Sequence, residues 1–136
     1  MIKKYREKGL KQTPQRLAIL GFLDGNTDHP SAEDIYNAVS KRFPTMSFAT
    51  VYNTLERLKQ RGELLELTIN AEKKHFDPNT KPHHHLMCIE CKKIVDIFSD
   101  FKLEVPVTDK KGFEIIANHI GFYGVCPRCK TKTLRR

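Results

Sequence analysis

The segment "HHHLMCIEC", residues 83–91, packs three histidines and two cysteines into nine positions. Those side chains are soft or borderline donors, and their spacing suggests metal binding. Cys88-x-x-Cys91 is followed by a second pair, Cys126-x-x-Cys129. Two such knuckles supply four thiolates, a tetrahedral set that suits structural zinc. A zinc there would tie the end of the chain back to the start of a sheet. A redox role is the competing use of paired cysteines. It would call for one reactive pair in a thioredoxin-like βαβ setting, not two knuckles.

Four thiolates complete a zinc site without the histidines, which are therefore available for other chemistry. "HHHLMC" and "KIVDIF" both read as strands, on either side of the first knuckle. Alternation on a strand puts His83 and His85 on one face and turns His84 away. Asp77 lies six residues before His83, across a turn rich in Pro and Asn, and Asp96 sits on the returning strand. Two imidazoles and two carboxylates form a harder donor set than four thiolates, suited to Mn(II), Fe(II) or Zn(II). The residues thus suggest a second, exchangeable metal site. The alternative is a solvated His-rich loop in which Asp77 only caps a turn. A mixed His/carboxylate site can also activate water, as in a metal-dependent hydrolase. No separate general base or pocket motif accompanies these ligands, and an enzyme is not expected.

The first half of the chain predicts three helices and a hairpin. Thr13 before Pro14 is a capping hydroxyl followed by proline at the first helical position, and Gly25 ends that helix. Ser31 with Asp34 three residues on resembles a capping box for a second helix, which stops at Pro44. Ser47 caps a third, with Val51, Leu55 and Leu58 as its buried stripe and Gly62 at its end. "LLELTIN" and "KKHFD" then read as two short strands. Three helices and a strand hairpin make a winged helix-turn-helix, whose last helix enters the major groove of DNA. Its outer face would carry Thr50, Tyr52, Asn53, Glu56, Arg57 and Gln60, types that bond to phosphates and base edges. A three-helix protein-interaction module is the alternative.

Composition agrees with a nucleic-acid partner. The formal net charge is +8 and the pI about 9.4, and the basic residues are spread over both halves, so a folded surface must arrange them. No apolar run is long enough to span a bilayer and no signal segment opens the chain, so a soluble cytoplasmic protein without a membrane partner is expected.

With these motifs in place, the sequence resembles the ferric uptake regulator family. "TPQRLAIL", "HPSAEDIY", "SFATVYNTLERL", "HFD", "HHHLMCIECKKIVD" and "YGVCPRC" occur in the family's order and cover most of the chain. The resemblance implies an α+β protein: a winged-helix DNA-binding domain over residues 1–76, then a small α/β metal-binding dimerisation domain over 77–136 with a four-cysteine zinc site. It implies a homodimer on double-stranded operator DNA. It also adds His29 to the regulatory ligands, giving His29, Asp77, His83, His85 and Asp96. Tyr52 and Asn53 would be operator contacts, and Lys11 a contact in the minor groove. Metal at the hinge would favour the DNA-competent form by mass action.

Within the family, Asp77, Asp96 and Asn53 stand as in the peroxide-sensing branch, where iron regulators tend to carry Glu, Glu and Arg. Pro82 and His84 occupy positions of a further sensing site of iron regulators, which looks broken. The resemblance therefore implies structural Zn(II) and a regulatory Fe(II) or Mn(II). Peroxide would release the Fe(II) form by oxidising His29 or His83. An iron- or zinc-responsive repressor of the same architecture is the alternative. Two departures stand out. The stretch "DFKLEVPVTDKKGFEI" between the knuckles is short and holds Pro106, which allows at most a turn or two of helix. His119 matches no family ligand and reads as a strand residue.

Overall fold

The structure, a computed structural model, describes residues 13–134. It divides into two compact units, one ending at Lys81 and the other beginning at Pro82. Asp77, placed with the second domain by the sequence, therefore goes with the first unit.

In the first unit, helix α1 spans Pro14–Leu23, α2 Ala32–Ser40 and α3 Phe48–Gln60. Each begins where a short hydroxyl side chain satisfies orphan backbone donors. Thr13 Oγ1 accepts from the Arg16 N–H at 3.1 Å and Ser47 Oγ from the Thr50 N–H at 3.1 Å. At α2 the capping box closes with aspartate: Ser31 Oγ accepts from the Asp34 N–H at 3.1 Å, and Asp34 Oδ2 accepts from the Ser31 N–H at 3.0 Å. Gly25 and Gly62, at φ 70° and 72°, take the left-handed turns that follow α1 and α3.

Ile19, Leu20 and Leu23 of α1, Ile35 and Val39 of α2, and Val51, Leu55 and Leu58 of α3 converge on one core, closed by Met46, Leu64 and Phe76. Truncating Leu55 to Ala there would cost about 2–5 kcal/mol. Strands β1 (Leu65–Leu67) and β2 (His75–Asp77) form the antiparallel hairpin, with Glu66 opposite Phe76. Lys59 Nζ, 3.3 Å from Glu66 Oε2, joins α3 to β1. This is the winged helix-turn-helix expected.

The second unit is a three-stranded sheet in the order β4-β3-β5. Strand β3 (His84–Cys88) runs antiparallel to β4 (Ile94–Ile97) and parallel to β5 (Gly121–Gly124). The connection from β4 to β5 holds one turn of helix, α4 (Val107–Lys110), with Pro106 at its N-cap. It ends at Lys111, which is left-handed at φ 52°. Helix α5 (Pro127–Leu134) follows β5. The second unit leaves Phe98, Leu103, Val107, Phe113, Ile116 and Tyr123 largely exposed, with Ile116 at 91%.

Candidate metal centres

Cys88 is the last residue of β3 and Cys91 follows it in a tight turn. The Lys92 N–H donates to the Cys88 carbonyl at 2.9 Å, and Lys92 itself is left-handed at φ 67°. The second knuckle straddles the start of α5: Cys126 lies between β5 and the helix, Pro127 heads the helix, and Cys129 is in its first turn. The parallel pairing of β3 with β5 sets Cys88 beside Gly124, and the Ile89 N–H donates to the Gly124 carbonyl at 2.8 Å. That pairing brings the knuckles together.

One Sγ from each of Cys88, Cys91, Cys126 and Cys129 lies within 4.8 Å of the others, and Cys91 and Cys126 are 3.8 Å apart. Four Zn–S bonds of about 2.3 Å set a tetrahedral edge of about 3.8 Å, so the set fits zinc. Its electrostatics fit as well. Against the opposing effect of burial, backbone N–H groups, first that of Cys126 at 3.4 Å and then that of Cys91, lower the Cys88 pKa to about 6. The Cys129 backbone N–H lowers that of Cys126. Cys129, hydrogen-bonded to the Cys126 side chain and desolvated, is pushed up to about 12. Thiolates this close repel one another, and a divalent cation removes the conflict.

The histidines and carboxylates form two groups, one in each unit. In the first unit His29 Nε2 is 3.4 Å from Asp77 Oδ2, and both side chains are buried. His29 has φ 53°, a left-handed conformation that costs an L residue about 1–2 kcal/mol. Strand β2 holds it there. The Phe76 N–H donates to the Pro30 carbonyl at 2.8 Å, and Ser31 bridges to His75. His75 Nδ1 donates to the His29 carbonyl at 2.7 Å, and His75 Nε2 accepts from Asn70 Nδ2 at 3.1 Å. Sequence reasoning missed His75 and Asn70. His75 stands in the quoted "HFD", but no spacing rule links it to His29.

In the second unit Asp96 is the cross-strand partner of His85. Its Oδ1 lies 3.3 Å from His85 Nε2 and 2.9 Å from His83 Nε2. The rings of His83 and His85 are 4.5 Å apart. His84 points away, as alternation requires. Its Nδ1 accepts from the Ile120 N–H at 2.9 Å and its ring rests 5.4 Å from that of Phe101. All three histidines are buried, so this segment is no solvated loop.

His119 differs from expectation. It precedes β5 instead of lying in a strand, and its Nε2 is 2.9 Å from His85 Nδ1. Desolvation, then the charge of His85, lowers its pKa. A hydrogen-bonding partner on the far nitrogen of His85 fixes the orientation of the ring, with Nε2 facing Asp96. The contact depends on how residues 98–120 return to the sheet, which no local pattern encodes.

On α3, Tyr52 is 45% exposed, and Asn53, Arg57 and Gln60 are exposed beside it. Thr50 and Glu56 are half-buried at the edges of that face. Lys11 lies outside the described residues. Among those described, no helix is long and apolar enough to cross a membrane.

Residues 7–123 match the ferric uptake regulator family. The chain is 41% identical over 130 residues to the peroxide-responsive repressor PerR of Staphylococcus epidermidis, covering 92% of this chain and 85% of that one. It resembles the structure of PerR from Streptococcus pyogenes, a study of peroxide sensing and gene regulation, at 34% identity and a TM-score of 0.53. The match covers 94% of this chain and 89% of the other. The ferric uptake regulator of Vibrio cholerae gives a TM-score of 0.70 at 27% identity, over 91% of this chain and 98% of that one.

Proposed function

The chain belongs to the ferric uptake regulator family, and from that premise we propose that it is a metal-dependent transcriptional repressor that responds to peroxide. The supporting observation is the pair of preorganised donor groups: His29 with Asp77 at 3.4 Å, and His83 and His85 on one oxygen of Asp96. Each group brings carboxylate charge against buried imidazole, an arrangement that a divalent cation stabilises. His29, Asp77, His83, His85 and Asp96 together ligate one regulatory Fe(II) or Mn(II). Cys88, Cys91, Cys126 and Cys129 hold a structural zinc.

Binding across the two groups couples metal occupancy to the arrangement of the DNA-binding half, because a ligand shifts a conformational equilibrium only through differential affinity. Tyr52 and Asn53 read the operator from α3, and Lys11 adds a positive contact in the minor groove. The exposed apolar residues of the second unit, Ile116 and Phe113 among them, are the homodimer surface. Fe(II) held by these ligands would supply redox chemistry toward hydrogen peroxide, and the ring of His29 or His83 would be the group oxidised, at a C–H carbon, gaining one oxygen atom as the peroxide is reduced to water. An oxidised ring is a poorer ligand, and repression ends.

Titrating the zinc-loaded protein with Mn(II) while following operator binding by fluorescence anisotropy tests the metal-dependent part. Operator affinity should rise with Mn(II) in the native protein and fail to rise in His85→Ala. Equal operator binding with and without Mn(II) would exclude metal control.

A further inference from the structure

His75 and Asn70 have no place in the ligand set, yet they form a buried polar network behind one ligand. His75 is nine-tenths buried, and Asn70 is 6% exposed. Every member has a defined orientation. The His29 carbonyl can only accept, so His75 Nδ1 carries the hydrogen of their 2.7 Å bond. In the neutral ring Nε2 must then accept, and it does so from Asn70 Nδ2 at 3.1 Å. The Asn70 amide is fixed in turn, because its Oδ1 accepts from the Glu72 N–H at 3.0 Å. The chain of donors therefore runs one way, from the β1–β2 loop through Asn70 and His75 to the backbone of His29.

We propose that His75, pinned by Asn70, is a positioning residue for the regulatory metal, holding His29 in the left-handed backbone that aims its ring at Asp77. This rests on His29 and Asp77 being ligands of that metal. His29 takes an unfavourable φ of 53° and so must be held from outside. The grip falls on the carbonyl of His29 itself. Two residues beyond His75, the same strand presents Asp77, whose Oδ2 is 3.4 Å from His29 Nε2. One short strand thus sets the distance between the two ligands of this unit, and His75 is its contact with the peptide that carries the first. The same network ties the hairpin loop to the ligand, so wing and metal group are built on one support.

Two near-isosteric substitutions separate positioning from general damage. The amide of asparagine overlays the Nδ1 edge of histidine, and that of glutamine overlays Nε2. His75→Asn keeps a donor for the His29 carbonyl, whereas His75→Gln keeps only the contact with Asn70. Mn(II) affinity is measured by equilibrium dialysis on full-length, zinc-loaded protein, with zinc content and thermal unfolding of the Mn-free form alongside. His75→Gln should weaken Mn(II) binding by roughly tenfold to a hundredfold. His75→Asn should weaken it by less than about threefold, with the same zinc content and similar melting in both. Equal losses in the two variants, or no loss in either, would overturn the proposal. If neither variant folds, Asn70→Ala carries the test: a loss of Mn(II) affinity under about threefold would overturn it. His29→Ala serves as the control for the premise. If it binds Mn(II) as the native protein does, the ligand assignment fails; if it loses binding while His75→Gln does not, only the positioning role fails.

Discussion

Asp96 stands directly across the β3–β4 pair from His85 and holds Oδ1 within 3.3 Å of His85 Nε2 and 2.9 Å of His83 Nε2. Register places the carboxylate on the same face as the His85 ring, and His83, just before β3, reaches the same oxygen. His84, between them, is committed to the backbone of Ile120 on the other side of the strand.

The three histidines should therefore behave differently. His83→Ala and His85→Ala should lose most Mn(II)-dependent operator binding. His84→Ala should keep it but lose about 1–3 kcal/mol of stability, because the Ile120 N–H loses its acceptor. Metal titrations and urea unfolding of the three variants check this. Loss of metal response in His84→Ala at unchanged stability would contradict the strand geometry.

Removing the charge of Asp96 should act on metal binding more than on folding. Asp96→Asn keeps the shape of the side chain and a hydrogen-bonding partner for the rings, but no anionic ligand. Its Mn(II) affinity should fall by at least about tenfold while zinc content stays constant. Equilibrium dialysis with metal analysis reads both.

Zinc should hold the second unit together. Cys126→Ser should lose zinc and with it the dimer, since binding energy at a closed site is folding energy. In the native protein, zinc affinity should fall as pH falls. Cys129, with its pKa pushed up to about 12, must give up a proton to the solvent on binding at any ordinary pH. Below about 6, Cys88 must do so too, so the fall steepens. Competition with a chelator between about pH 7.5 and 5.5 should show at least about a tenfold loss per pH unit. A flat profile would mean that the thiols do not bind as thiolates.

Ile116, at 91% exposure, can be changed without disturbing the monomer's packing. Ile116→Asp should shift the protein toward monomer in analytical ultracentrifugation and leave the helical core of the first unit intact by circular dichroism. A variant that stays dimeric at micromolar concentration would place the dimer surface elsewhere.

Tyr52→Ala should weaken operator binding by about 1–3 kcal/mol and random DNA less, as for a residue that reads sequence. Equal losses on both DNAs would make Tyr52 a backbone contact only.

Most of these elements were legible because their signals are local. Thr13 with Pro14, Ser31 with Asp34, and Ser47 mark helix starts through hydrogen bonds that close within three residues. The alternation of His83, His84 and His85 needs only the strand period, and Pro106 limits its segment to at most a turn or two of helix, of which one turn forms. What the sequence hid is tertiary. His75 meets the His29 carbonyl 46 residues away, and His119 meets His85 across 34. Neither pairing leaves a periodic trace, and each histidine alone looks like an ordinary loop or strand residue. The left-handed backbone of His29 was equally hidden, since histidine before proline carries no glycine-like mark of positive φ.

The most direct test of peroxide-responsive repression loads the zinc-containing protein with Fe(II) or with Mn(II), adds hydrogen peroxide, and follows operator binding together with the masses of proteolytic peptides. The Fe(II) protein should leave its operator as peptides containing His29 or His83 gain one oxygen atom, while the Mn(II) protein stays bound and unmodified. An Fe(II) protein that remains on the operator, unoxidised, at peroxide levels that spare the zinc thiolates would contradict peroxide sensing and leave a repressor governed by metal occupancy alone.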